Sequence, residues 1–142
     1  IDMKNGKEGV AREIMMGSPV MLKPEDTLDL DNDIISLGRI RHIPIVDGNR
    51  LVGIVTERDL IGAAAAQIFG LKHKSKSALL KSVLIKEVMK KRVITAAPNT
   101  PIKDVAHLMA DKKIGCVPVV SEGMVVGLVT TTDILRYVES LA

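Results

Sequence analysis

Gly53-Ile-Val-Thr-Glu-Arg-Asp59 and Gly127-Leu-Val-Thr-Thr-Thr-Asp133 are one phrase written twice. In each, aliphatic residues after a glycine read as the end of a strand, and a threonine with a carboxylate three residues on reads as the start of a helix. Working outward, one constant offset pairs Met15 with Met89, Pro24 with Pro98 and Pro44 with Pro118. It also pairs Glu13, Ile40, Val46, Val52 and Val55 with identical residues at Glu87, Ile114, Val120, Val126 and Val129. No gap is needed from Glu13 to Ile61, and other positions exchange like for like: Val20 with Ile94, Leu28 with Ile102, Ile34 with Leu108, Ile54 with Leu128. The chain is two copies of one unit.

The second copy shows the element order most clearly. Thr100 followed by Pro101 predicts an N-cap and a first-turn proline, and Ile102, Val105, Ala106 and Met109 supply the spacing of an amphipathic helix. Cys116–Val120 and Met124–Thr130 read as strands around a turn at Ser121-Glu-Gly123, and a second helix opens at Thr130 through Ile134, Leu135 and Val138. The unit is thus a short leading strand, helix, strand, strand, helix. The first copy predicts Asp26 at the cap, strands at Ile43–Val46 and Leu51–Val55, a turn at Asp47-Gly-Asn49 and a helix from Thr56. It departs where Asp31 and Asn32 replace the apolar Val105 and Ala106. Either that helix rotates to bring Leu30, Ile34 and Leu37 inward, or the two polar groups need buried partners.

Composition narrows the functions available. The 142 residues suffice for one compact domain, or for two small units. Trp is absent and Phe69 and Tyr137 are the only other aromatics, so the core must be aliphatic and base stacking on aromatic platforms is excluded. Cys116, the single cysteine, permits no internal disulfide and no Cys-rich zinc site, and no metal is expected. No stretch reaches the ~20 apolar residues of a membrane span, so a cytoplasmic location is expected. Ile1–Val10 are given no role. The net charge of +3 is uneven: Lys72, Lys74, Lys76, Lys81, Lys86, Lys90, Lys91 and Arg92 face only Glu87 between residues 62 and 92. That segment is a solvated connector or a patch for a polyanion. Its Leu79, Leu80, Val83 and Leu84 have the spacing of one packed helix face.

The unit resembles the CBS domain, and its doubling resembles the tandem pair called a Bateman module. The residues that carry the likeness are Pro19–Pro24 and Val93–Pro98, Ile40–Val46 and Ile114–Val120, and the two closing phrases ending at Asp59 and Asp133. The resemblance implies an α/β (α+β) fold of two pseudo-twofold repeats packed through their sheets, with domain 1 at 11–66, a helical Lys-rich linker at 67–84 and domain 2 at 85–142. It also implies two clefts for an adenine nucleotide, AMP, ADP or ATP, or for S-adenosylmethionine, and a non-catalytic role in sensing energy or metabolite state. By the family's cross-repeat construction, one cleft combines Met15, Val20, Arg41 and His42 with Leu128, Thr130, Thr132 and Asp133. The other combines Met89, Ile94, Gly115 and Cys116 with Ile54, Thr56, Arg58 and Asp59. An Asp carboxylate can accept both ribose hydroxyls, while Thr hydroxyls and helix N-terminal amides can donate to phosphate. Arg41 and His42 give the first cleft two cations for phosphate against Arg58 alone in the second, with that of His42 lost above about pH 6.5.

Each motif also has a plainer meaning. The Thr-x-x-Asp phrases are capping signals as well, Arg41 and His42 can be surface residues on a strand edge, and Cys116 can be a small buried hydrophobe. An enzyme is disfavoured, since His42, His73 and His107 lie far apart and neither a phosphate loop nor a nucleophile motif is present. Two other classes remain. One is a ligand-free interaction module, and the other is a nucleic-acid binder resting on the connector lysines. Apolar helix faces and the Gly62–Ala66 run predict a homodimer, and the regulated protein is unspecified.

Overall fold

The computed structural model describes residues 9–29, 41–62 and 81–141. In chain order the elements are helix α1 (Ala11–Ile14), strands β1 (Met16–Gly17), β2 (His42–Asp47) and β3 (Arg50–Thr56), a 3-10 turn at Ile85–Glu87, helix α2 (Ile102–Lys112), strands β4 (Cys116–Ser121) and β5 (Met124–Thr130), and helix α3 (Thr131–Ser140). Residues 57–62 are also helical. Strands and helices thus mix within each repeat, as the patterning predicts. The questions raised by Asp31 and Asn32, and by Lys72, His73, Lys74, Lys76, Leu79 and Leu80, lie outside the described residues.

Two compact units form, Val20–Val93 and Ile1–Pro19 with Ile94–Ala142. The segment that opens each repeat therefore belongs with the hairpin of the other. In the Val20–Val93 unit, β2 and β3 pair antiparallel from His42↔Thr56 to Asp47↔Arg50, with a bulge between Ile45 and Val46. Gly48 and Asn49 close the hairpin at φ 54° and 72°, the left-handed conformation a two-residue turn requires. Leu22 joins the outer side of β2, donating its N–H to the Pro44 carbonyl at 3.2 Å and accepting from Val46 at 2.9 Å. Pro44 thus turns its missing N–H toward a single-bridge edge and not into the β2/β3 ladder. Leu28, Ile43, Ile45, Val55, Leu60, Val83 and Ile85 form the core. Val83 is buried, but the helical face expected of the connector is corrected at its end: Val83 and Leu84 lie past the last helical residue, Ser82, and Leu84 is extended at φ −84° and ψ 145° and bridges Thr27.

The other unit repeats this plan. β4 and β5 pair from Cys116↔Thr130 to Ser121↔Met124 with a bulge at the matching place. Glu122 and Gly123 make the turn at φ 53° and 81°, and Ala96 bridges Val119 as Leu22 bridges Ile45. On the far side β1 pairs Met16 with Leu128, as Lys90 pairs with Ile54 in the first unit. The core is Ala11, Ala96, Val105, Met109, Val117, Val119 and Val129, aliphatic throughout as the composition requires.

Two predicted caps are corrected. Thr100 does not cap α2: its Oγ1 accepts the Ala97 N–H at 2.9 Å, and Pro101 at ψ 139° holds the N-cap position. Asp26 likewise accepts the Lys23 N–H at 2.7 Å, and helical residues begin only at Leu28. Both side chains close a tight turn around Pro24 or Pro98, a role that competes with capping for the same short polar residues. The predicted leading strands shrink to the bridges at Leu22 and Ala96, two residues beyond Val20 and Ile94.

Candidate functional site

The closing phrases fold as expected: each Thr ends a strand and each Asp sits in the first turn of the helix that follows. Their hydrogen bonding differs. Asp59 and Thr56 form a reciprocal box, with the Asp59 Oδ2 accepting the Thr56 N–H at 3.0 Å and the Thr56 Oγ1 accepting the Asp59 N–H at 3.1 Å. In the other unit the Asp133 Oδ2 accepts both the Thr130 N–H at 2.8 Å and the Thr130 hydroxyl at 3.0 Å. The first amide of each helix is engaged too, Glu57 N–H on the Arg41 carbonyl at 3.0 Å and Thr131 N–H on the Gly115 carbonyl at 3.1 Å. The Thr130 hydroxyl proton and these amides are thus already occupied, which limits the helix-terminus contribution to phosphate that the motif suggests, whereas the Thr56 hydroxyl only accepts and keeps its proton to donate.

Charge gathers on one unit. His42 is the cross-strand partner of Thr56, and Arg41 Nε lies 3.6 Å from Glu57 Oε2. Lys90 Nζ lies 3.6 Å from Asp59 Oδ1, and the Asp59 side chain is only 12% exposed. The backbone of Lys90 is fixed to β3 by two hydrogen bonds with Ile54, at 2.9 and 3.0 Å. Burial, and then the neighbouring Arg41 guanidinium, hold His42 below its ordinary value of 6.5 against the pull of Asp59 and Glu57. His42 is therefore neutral at neutral pH in the free protein, and the cation expected of it appears only in more acidic solution. Arg58 is exposed on the same helical turn.

In the other unit the corresponding positions are held by Gly115, Cys116, Met16, Thr131 and Thr132 around Asp133, and none of these is a cation. Cys116 pairs with Thr130, is 6% exposed, and burial pushes its thiol up to about 12, so it is the inert hydrophobe of the plainer reading. Among the described residues no ion pair reaches Asp133.

Met15 and Met89 secure the opening segments. Each packs over a hairpin glycine, Gly127 or Gly53, where an added Cβ would stand 3.0 Å from the carbonyl oxygen of Met16 or Lys90 and closer still to the methionine sulfur. Of the other expected residues, Ile54 and Leu128 are buried in their strands, Ile94 is half-buried, and Val20 and Thr132 are exposed. Met15 packs on Gly127, next to Leu128, and Met89 on Gly53, next to Ile54; Arg41 and His42 stand beside Thr56, and Gly115 and Cys116 beside Thr130, whereas the expected clefts group Arg41 and His42 with Thr130 and Asp133, and Gly115 and Cys116 with Thr56 and Asp59. Lys90 and Glu57 were not singled out by the sequence. Aligning the charged positions of one copy with their uncharged partners in the other is the signal that finds them. No group of three metal-ligating side chains occurs among the described residues, and no helix there is long and apolar enough to cross a membrane.

Comparison with known proteins gives this arrangement a context. The CBS domain family matches residues 11–66 and 85–140. A solved structure of the CBS domain pair of protein MJ0100, in complex with 5-methylthioadenosine and S-adenosyl-L-methionine, superposes at a TM-score of 0.75 with 30% identity, covering 94% of this chain and 98% of that one. CBSX2, solved in complex with AMP, has a TM-score of 0.76 at 20% identity over 92% of this chain and 96% of its own, a likeness of fold alone. Among curated relatives, protein MJ1225 of Methanocaldococcus jannaschii is 30% identical and the homoserine O-acetyltransferase of Methanohalobium evestigatum 33%. The matches cover 90% and 89% of this chain but only 45% and 24% of those proteins.

Proposed function

This chain belongs to the CBS domain family, and on that premise we propose that it is a non-catalytic regulatory module whose ligand is an adenine nucleotide, AMP first among them. The observation that carries the reading is the pair of half-buried carboxylates, Asp59 and Asp133, each held at a helix start by its own Thr. A carboxylate fixed in this way is prepared to accept the two hydroxyls of a ribose. The adenosine ligands of the MJ0100 pair, a relative at 30% identity, support the same class, with S-adenosylmethionine as the alternative. Enzymes among the relatives match over a small part of their length, in keeping with a sensing module attached to separate chemistry. A cytoplasmic location belongs to the same proposal.

Heating the protein with AMP, ADP, ATP, S-adenosylmethionine and NAD in turn tests it. A true ligand at ~100 times its Kd stabilises the fold by ~2.7 kcal/mol, and no shift with any adenosine compound overturns the reading.

One observation favours an interaction role beside ligand binding. Ile61 and Leu135, equivalent in the two repeats, are each 63% exposed on the helix that follows the Thr, and Val138 is 54% exposed. Such faces suit a second copy of the chain, and a homodimer at micromolar concentration is the expected result of sedimentation.

A further inference from the structure

Resting on that reading, we infer that Lys90 makes the Asp59 site selective for a phosphorylated ligand, while the Asp133 site, with Met16 in the equivalent place, accepts adenosine derivatives that carry no phosphate. The two residues are equivalent in the backbone: Lys90 bridges Ile54, and Met16 pairs with Leu128. Their side chains leave the two carboxylates in different states. At Asp59 one oxygen holds the Thr56 N–H and the other faces the Lys90 ammonium at 3.6 Å. At Asp133 a single oxygen, Oδ2, takes both Thr130 donors, and among the described residues no donor reaches Oδ1.

A ribose diol approaching Asp59 must therefore displace an ammonium from a carboxylate with little access to water. An uncharged or cationic ligand leaves that ammonium without its partner. A ligand with a phosphate offers it a new one, so that the diol takes the carboxylate, the phosphate takes Lys90, and ion pairing is conserved. The ammonium is free to make the exchange, because the Lys90 backbone is pinned to β3 while its side chain is 65% exposed. Arg41, paired with the half-exposed Glu57, adds to the positive field on the same unit. Among the described residues Asp133 has no cation to displace from its second oxygen, and the place of Lys90 is taken by the exposed Met16, whose thioether and methyl suit an apolar 5′ substituent.

Calorimetric titration with AMP and with 5′-methylthioadenosine, which share the adenosine and differ in the phosphate, reads the assignment directly. The wild-type protein is compared with Lys90→Met, Lys90→Arg and Met16→Lys. Lys90→Met is expected to weaken AMP about tenfold at one site and to leave 5′-methylthioadenosine unchanged or tighter, Lys90→Arg to keep the AMP preference, and Met16→Lys to shift the second site toward AMP. If the wild type binds both compounds and the AMP preference survives Lys90→Met, or AMP binds more tightly to that variant, the inference is overturned while the adenosine reading stands. If the wild type binds neither compound, the adenosine reading fails and takes the inference with it.

Discussion

The two hairpin units share a backbone plan down to the bulge and the two-residue turn, yet one surrounds its Thr-x-x-Asp aspartate with charge and the other does not. Around Asp59 stand Arg41, His42, Glu57 and Lys90; around Asp133 the same positions are Gly115, Cys116, Thr131 and Met16. A duplicated fold tolerates this because the residues that hold it together differ from those that face its helix starts. Ile43 and Val117, Ile45 and Val119, Val55 and Val129 are all fully buried and all aliphatic. The scaffold is thus conserved between the copies, while the surface above it has diverged in charge.

The largest effects should fall on the shared scaffold. Ile43→Ala leaves a cavity in the first core and is expected to cost about 2–5 kcal/mol; Val117→Ala, which removes less, should cost less. Urea unfolding of both variants measures the difference, and an equal or inverted order would show that the two cores are not packed alike. Next come the glycines. Gly53→Ala and Gly127→Ala each push a methyl toward a backbone carbonyl and a methionine sulfur, with an expected loss of about 1–3 kcal/mol in thermal unfolding. Shortening the methionine in the same chain, Met89 or Met15 to Ala, should not restore stability fully, because the carbonyl remains in place.

Smaller effects separate the two helix starts. Thr56→Ala removes an acceptor from the Asp59 amide and should cost about 1 kcal/mol, whereas the Thr130 hydroxyl donates to the Asp133 carboxylate and Thr130→Ala should cost less. Matched denaturation curves for the two variants show whether the reciprocal box is the stronger cap. The smallest effect is the pH response of His42. Its folded pKa lies below the unfolded 6.5, so the folded state binds the proton less readily, and the stability it contributes is present above pH 6.5 and lost as pH falls below it. His42→Gln should flatten stability in that range. Cys116 offers a check in the opposite unit: with its thiol pushed up to about 12, native protein should react with iodoacetamide only at the rate of unfolding.

Most of the fold is legible in the sequence because it rests on period and repetition. The hairpin turns at Gly48-Asn49 and Glu122-Gly123, the second helix after Thr130 and the aliphatic cores all follow from pattern. Asp26 and Thr100 misread as caps because a short polar side chain beside a proline can close a turn or start a helix, and the choice depends on the ψ of the next residue. The exchange of opening segments is invisible to pattern, since Met15 pairs with Gly127 only in three dimensions, although both members of that pair recur as Met89 and Gly53. The candidate site is legible in its Thr-x-x-Asp residues and not in its ion pairs. Lys90 lies among surface lysines, and only the β3 bridge that holds its backbone reveals that it reaches Asp59.

On the proposed reading these two aspartates, Asp59 and Asp133, each hold an adenosine ligand. Asp59→Asn and Asp133→Asn keep an oxygen for the Thr N–H while replacing the other with an NH2 that cannot accept a proton from a ribose hydroxyl. Calorimetric titration of AMP into the wild type, each single variant and the double variant measures the claim directly. Each single change should remove one site, with the tighter AMP site lost in Asp59→Asn, and the double variant should stay folded and bind no AMP. AMP binding by a folded double variant with wild-type affinity would contradict the account.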